Sequence, residues 1–165
     1  MHLYIKQKVL TIRDRFKVYG DDEQEKYDVT GKIISIGRKF TITQNEQLIA
    51  RVEQEVLHLF AHFNVYIEGQ ENFRLVRKFS FLKPKYEIEG LNWYIQGDFW
   101  QHDYQIVDAN QQPIATISKR WITIGDTYDI NINNDKDELA VLCIVIAIDA
   151  DQANQESSLN VSLTD

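Results

Sequence analysis

The chain has one cysteine and two prolines in 165 residues, and no apolar run longer than ten residues. Each scarcity excludes something. The single thiol, Cys143, forms no intrachain bridge, and its place inside the apolar run makes it a small buried hydrophobe and a poor nucleophile, which suits a reducing cytoplasm. The prolines, Pro84 and Pro113, both fall where a segment begins, a position strands tolerate. The ten-residue run, Leu139–Ile148, would rise about 15 Å as a helix, against roughly 30 Å of bilayer hydrocarbon, so it is a core element and not a membrane span. Positive charge is short as well: the net charge of −7 argues against general electrostatic capture of nucleic acid or of an anionic membrane, though not against a local basic site. Met1–Lys6 has no basic start followed by an apolar block, so no secretory or transit leader is expected. Gly-x-Ser-x-Gly, a phosphate-binding glycine loop and a dinucleotide fingerprint are all absent.

What is present is mostly strand signal. From residue 3 to 132, short alternating segments rich in Tyr, Phe, Ile and Val are separated by turn residues. Breaks are expected at Gly20-Asp21-Asp22, Thr30-Gly31-Lys32, Gln44-Asn45-Glu46, Glu68-Gly69, Glu89-Gly90, Asp108-Ala109-Asn110 and Asn133-Asn134. Strands are expected near 48–54, 57–67, 72–81, 85–88, 92–98, 103–108, 113–119 and 125–132, although Val52, Glu55, Val56 and Leu59 would also share one helical face. An internal echo runs through them. Phe40-x-Ile42, Ile49-Ala50-x-Val52, Leu57-x-Leu59 and Phe63-x-Val65 correspond in order to Tyr104-x-Ile106, Ile114-Ala115-x-Ile117, Ile122-x-Ile124 and Tyr128-x-Ile130, which suggests two similar sets of four strands. Joining them in a closed antiparallel barrel of about a dozen strands removes every edge but leaves an interior too wide for strand side chains alone. The run at 139–148 fills it. Asn and Asp residues at 133–137 offer caps for a helix there, while Asp149 and Asp151 are expected to return the chain to water.

The order of several motifs resembles one family. Gly31–Phe40, Lys83-Pro84-Lys85-Tyr86-Glu87-Ile88, Trp93-x3-Gly97-Asp98-Phe99-Trp100-x2-Asp103-Tyr104, Ser118-Lys119-Arg120-Trp121-x3-Gly125-Asp126-Thr127-Tyr128 and the apolar run ending at Asp149 are together similar to the small bacterial LURP-one-related proteins. The resemblance covers roughly 1–150. It implies a mostly β fold like the tubby C-terminal domain and the phospholipid scramblases: a twelve-stranded antiparallel barrel threaded by a hydrophobic C-terminal helix. The expected organisation is one domain over 1–150, with the helix near 136–150, and a polar, flexible tail at 151–165. Most members have no established activity, and fold analogy alone is a weak warrant for function.

Arg74, Arg77, Lys78, Lys83 and Lys85 form the strongest local charge feature, five cations with no acid between them. Converging at an exposed turn, they would hold a phosphate-bearing head group; as a solvated strand face they would only discourage edge pairing. Lys119-Arg120-Trp121 would extend such a patch if it lay close in space. Asp98–Asp103 gathers two carboxylates, an imidazole and an indole, which would serve acid–base or metal chemistry in a pocket but also reads as a strand connection. His58 and His62 would share a helical face, but the surroundings read as strands and no Glu follows the first, so no zinc site is expected. Asn131–Glu138 is rich in oxygen but lacks the glycine and terminal glutamate of a calcium loop, and capping explains it better. The expectation is a non-enzymatic cytoplasmic binding or scaffold module with no cofactor or metal, engaging an anionic phospholipid head group or a protein and no nucleic acid, and not integral to a membrane. A hydrolase or metal-dependent enzyme at Asp98, His102 and Asp103 is the alternative. Lipid scrambling ranks last, because using the apolar run as an anchor would pull out the core.

Overall fold

The computed structural model describes residues 1–7, 15–34, 37–81, 84–98, 101, 103–122 and 125–162. Its strands are β1 (His2–Gln7), β2 (Arg15–Tyr19), β3 (Glu25–Ile34), β4 (Gly37–Gln44), β5 (Gln47–Glu55), β6 (His62–Ile67), β7 (Phe73–Lys78), β8 (Lys85–Glu89), β9 (Trp93–Asp98), β10 (Asp103–Val107), β11 (Pro113–Ile122) and β12 (Gly125–Ile132). Each pairs with the next in sequence, and β1 pairs with β12 to close the barrel. A single 3-10 turn, Asp135–Asp137, then leads into α1, Glu138–Ser162.

The alternation seen in the sequence becomes an inside and an outside. Phe16 and Val18, Phe40 and Ile42, Phe63 and Val65, and Tyr104 and Ile106 point inward from their strands and are buried. They close around α1, every residue of which from Ala140 to Ile148 is buried. Val and Ile would favour a strand here, but a closed barrel offers no free edge to pair with, whereas a helix satisfies its own backbone in an apolar interior. Asn134 caps the entry, its side chain accepting from the Lys136 amide at 3.2 Å.

Polar contacts fix how deep the helix sits. At the entry, Lys26 and Tyr27 donate to the Glu138 carboxylate at 2.8 and 2.6 Å. At the exit, the Tyr128 hydroxyl donates to Asp149, and the Tyr86 hydroxyl donates to Asp151 Oδ2 at 2.8 Å. Asp149 and Asp151 therefore do not return the chain to water. They are 9% and 2% exposed, and α1 continues past 150 to Ser162.

Three further expectations change. Gly31 is no break: it pairs with Phe40 inside β3, which runs on to Ile34. The stretch 57–67 is not one strand, since β6 begins only at His62 and 56–61 form a connection. The echo accordingly holds for three strands in each set, β4–β6 against β10–β12, which lie half a barrel apart. Leu57 and Leu59, its supposed third strand, point almost wholly into solvent.

Candidate functional site

An up-and-down barrel sorts its connections onto two ends, and here the sorting is by chemistry. At the end where α1 enters, the connecting residues are polar and acidic: Gly20-Asp21-Asp22-Glu23, Asn45-Glu46, Glu68-Gly69-Gln70-Glu71, Asp108-Ala109-Asn110 and Asn133–Asp137. At the end where it leaves, the described connecting residues include Val56-Leu57, Leu59-Phe60, Phe79 and Phe81.

Among the described residues, this exit rim carries the largest exposed apolar side chains. Leu57 is 99% exposed, Phe81 91%, Leu59 89% and Phe79 62%. Phe79 meets Phe81 edge-on at 4.7 Å between centroids and lies 6.1 Å from Phe60. The Arg77 guanidinium lies 5.6 Å from the Phe60 ring centroid. Leu57 holds a left-handed backbone, φ 74°, which costs a residue with a Cβ roughly 1–2 kcal/mol. Between the 56–61 connection and the emerging helix lies a cavity of about 660 Å³, bordered by Glu55, His58, Phe60, Arg77, Asp151 and Gln155.

The four described members of the expected cation set, Arg74, Arg77, Lys78 and Lys85, do not lie on one face. Arg74 and Lys78 lie on the outer face of β7, where Arg74 Nε and Nη2 reach Glu89 at 3.0 and 2.6 Å and Lys78 reaches Glu87 at 3.0 Å. These pairs push the Arg74 and Lys78 pKa values up and hold the Glu89 carboxyl below its ordinary value. Arg77 turns inward, its Nε 3.4 Å from Asp151 Oδ2. Lys85 is exposed and stands opposite Lys78 in register; Lys83 lies outside the described residues. Lys119 does not extend the stretch, because β11 is three strands from β8 and its ammonium sits 5.4 Å from the Tyr128 ring centroid. Asp98 and Asp103 face each other where β9 and β10 meet their connection, and Asp98 Oδ1 accepts from the Gln101 amide at 3.2 Å. His102 lies outside the described residues.

One constellation goes beyond the sequence reading, which sets His58 and His62 aside and does not join Glu55 to them. Glu55 and His62 are directly paired across β5 and β6, and the 56–61 connection folds back so that the His58 ring stacks on His62 at 3.9 Å. Glu55 Oε2 is 3.0 Å from His58 Nε2 and 3.7 Å from His62 Nδ1. Asn64 Nδ2 donates to the other carboxylate oxygen at 2.6 Å, which holds the Glu55 pKa down. His62 is pushed down, first by burial and then by the neighbouring His58 and Arg74 charges. The signal was Glu55-x2-His58-x3-His62. It was hidden because a continuous strand over 57–67 would hold the two imidazoles some 13 Å apart at about 3.3 Å per residue.

Comparison with known proteins gives a family profile described as LURP-one-related, which matches residues 1–149. A relative in Bacillus subtilis (strain 168), the uncharacterised protein YxjI, is 32% identical over 157 residues, covering 94% of this chain and 96% of its own. A crystal structure of an Arabidopsis thaliana protein superimposes with a TM-score of 0.58 at 10% identity, covering 93% of this chain and 90% of the plant chain. At that identity the likeness concerns the fold.

Proposed function

The chain belongs to the LURP-one-related family, and from that premise we propose that it is a non-enzymatic, cytoplasmic binding module that docks its helix-exit rim on an anionic phospholipid surface. The observation that carries this reading is the cluster of exposed Leu57, Leu59, Phe79 and Phe81 on two neighbouring connections at one end of the barrel. A large apolar side chain left in water forgoes about 1.5–3 kcal/mol of burial, and Phe at the boundary between head groups and acyl chains recovers much of it. Lys85 follows the aromatic pair, Lys83 adjoins it in sequence, and Lys78 precedes it with Glu87 at 3.0 Å, a carboxylate it must share with the surface. Each cation held near an anionic surface adds about 1 kcal/mol. The net charge of −7 does not oppose this arrangement, because the acidic connections sit at the far end of the barrel and face away when the rim docks.

The core helix takes no part in anchoring. Among the described residues no helix is long and apolar enough to cross a membrane, and withdrawing α1 would empty the barrel.

The experiment is vesicle sedimentation, with phosphatidylcholine alone or mixed with phosphatidylglycerol, at low and high salt. Wild type is expected to pellet with the anionic vesicles and to be released by salt. Phe79→Ser/Phe81→Ser and Lys78→Glu/Lys83→Glu/Lys85→Glu variants, folded by circular dichroism, are expected to stay in the supernatant. A wild type that pellets with neither vesicle, or a double serine variant that pellets like wild type, overturns the proposal.

A further inference from the structure

We propose that Glu55, His58 and His62 form a binding site for one divalent transition-metal ion, zinc in the first instance. The assignment stands on donor geometry and is independent of the membrane reading. Two donors held about 2.0–2.1 Å from a tetrahedral zinc ion stand roughly 3.4 Å from each other. The distances from Glu55 Oε2 to the two imidazole nitrogens, 3.0 and 3.7 Å, bracket that spacing, and all three donor atoms lie within 4.8 Å of one another.

Two features separate this cluster from a chance ion pair. Asn64 grips one oxygen of Glu55 and leaves the other turned to the histidines, which is how a second residue commonly orients a metal-binding carboxylate. His62 Nδ1 is shielded from solvent and, among the described residues, accepts and donates no hydrogen bond, so an ion would satisfy a nitrogen that is otherwise left without a partner. Binding turns the exposed His58 ring out of its stack on His62, 3.9 Å between centroids, because a metal ion lies in the plane of each imidazole that holds it.

Two imidazoles and one carboxylate suit zinc, cobalt or nickel, whereas calcium and magnesium prefer oxygen alone. A set of three leaves one position open. Arg74 Nη1, 3.8 Å from Glu55 Oε2, places positive charge beside that set and favours an anion as the fourth ligand, a carboxylate, a phosphate or hydroxide. His58 and Glu55 also border the 660 Å³ cavity, which gives such an anion a route in.

The test is equilibrium dialysis of the chelator-stripped full chain against zinc in the presence of excess magnesium, with the visible spectrum of the cobalt-loaded protein as a second readout. Wild type is expected to take up one zinc per chain and to give the intense bands of tetrahedral cobalt. His58→Ala, an exposed connection residue whose loss leaves the barrel untouched, is expected to abolish both. Asn64→Ala is expected to weaken uptake roughly 10–100-fold. His2→Ala, which removes a histidine on the far side of the sheet order, is expected to change nothing. Failure of folded wild type to bind zinc, displacement by magnesium, or full uptake by His58→Ala overturns the proposal and leaves Glu55–His58 as a surface ion pair.

Discussion

The sharpest consequence of a helix enclosed by strands is the behaviour of Leu142, which is fully buried midway along the apolar length of α1. Leu142→Ala keeps the helix, since alanine is the best helix former, and removes only packing. A buried Leu→Ala change costs about 2–5 kcal/mol, and about 3 is expected where a closed barrel restricts collapse of the cavity. For a chain of this size that lowers Tm by roughly 6–12 °C, at about 2–4 °C per kcal/mol. Leu142→Asp goes further. It adds a carboxylate with no basic residue anywhere on α1 to receive it; the desolvation cost of several kcal/mol, on top of the lost packing, approaches the roughly 5–15 kcal/mol that holds such a domain together. Urea unfolding followed by tryptophan fluorescence and far-ultraviolet circular dichroism measures both variants. An alanine variant within about 1 kcal/mol of wild type, or a cooperatively folded aspartate variant, would refute the enclosed helix.

Acid should destabilise the fold in a way that Arg74 controls. Hydrogen bonds from Arg15, Asn64 and Arg74 hold Asp28, Glu55 and Glu89 below their ordinary pKa values, so the stability they contribute is complete above those values and is lost as pH falls through the lower folded-state ones. Asp151 acts in the opposite sense, because burial raises its pKa and its charged form costs stability as pH rises past its unfolded value. Urea midpoints measured from neutrality to about pH 3 should therefore fall less steeply in Arg74→Gln than in wild type, and parallel curves would contradict the assignment. Gly97→Ala is expected to destabilise by about 1–3 kcal/mol, because Gly97 has φ +127° and a Cβ there would meet the Asp103 carbonyl oxygen at 2.6 Å; a neutral denaturation midpoint would show that β10 can move aside.

The barrel was legible in the sequence because its evidence is periodic. Alternation at Phe40-x-Ile42 or Tyr128-x-Ile130 states which side chains face inward, and an uninterrupted apolar run too short to cross a bilayer can only be surrounded. Failures came where periodicity carries no information. Glycine is a turn residue by type, so Gly31 reads as a break, yet its cross-strand pairing with Phe40 places it inside β3. Asp149 and Asp151 look solvent-bound by composition, but the inward hydroxyls of Tyr128 and Tyr86, from strands remote in sequence, donate to them inside the barrel. The five cations illustrate the same limit. Alternation along β7 turns Arg77 to the opposite face from Arg74 and Lys78, but Glu87 and Glu89, which occupy the latter pair, become neighbours only through the β7–β8 register. The apolar rim was present in the sequence as scattered Leu and Phe residues and became visible only once the up-and-down order placed those segments at one end.

Closure of the barrel has a consequence in time. The pairing of β1 with β12, and the bond from the Met1 ammonium to the Ile132 carbonyl at 3.0 Å, join points 131 residues apart, and the segment that fills the enclosure follows even the last strand. As the chain is synthesised, hairpin after hairpin can form from local contacts, yet each has its oily face bare until residues 139–148 arrive. Until then the growing product is an open sheet with two adhesive edges, the kind of species that pairs with its neighbours. Folding to the finished state is therefore a late, whole-chain event, because the pairing that closes the barrel spans the length of the chain, and the nascent protein depends on whatever keeps such sheets apart until its own last segment closes them.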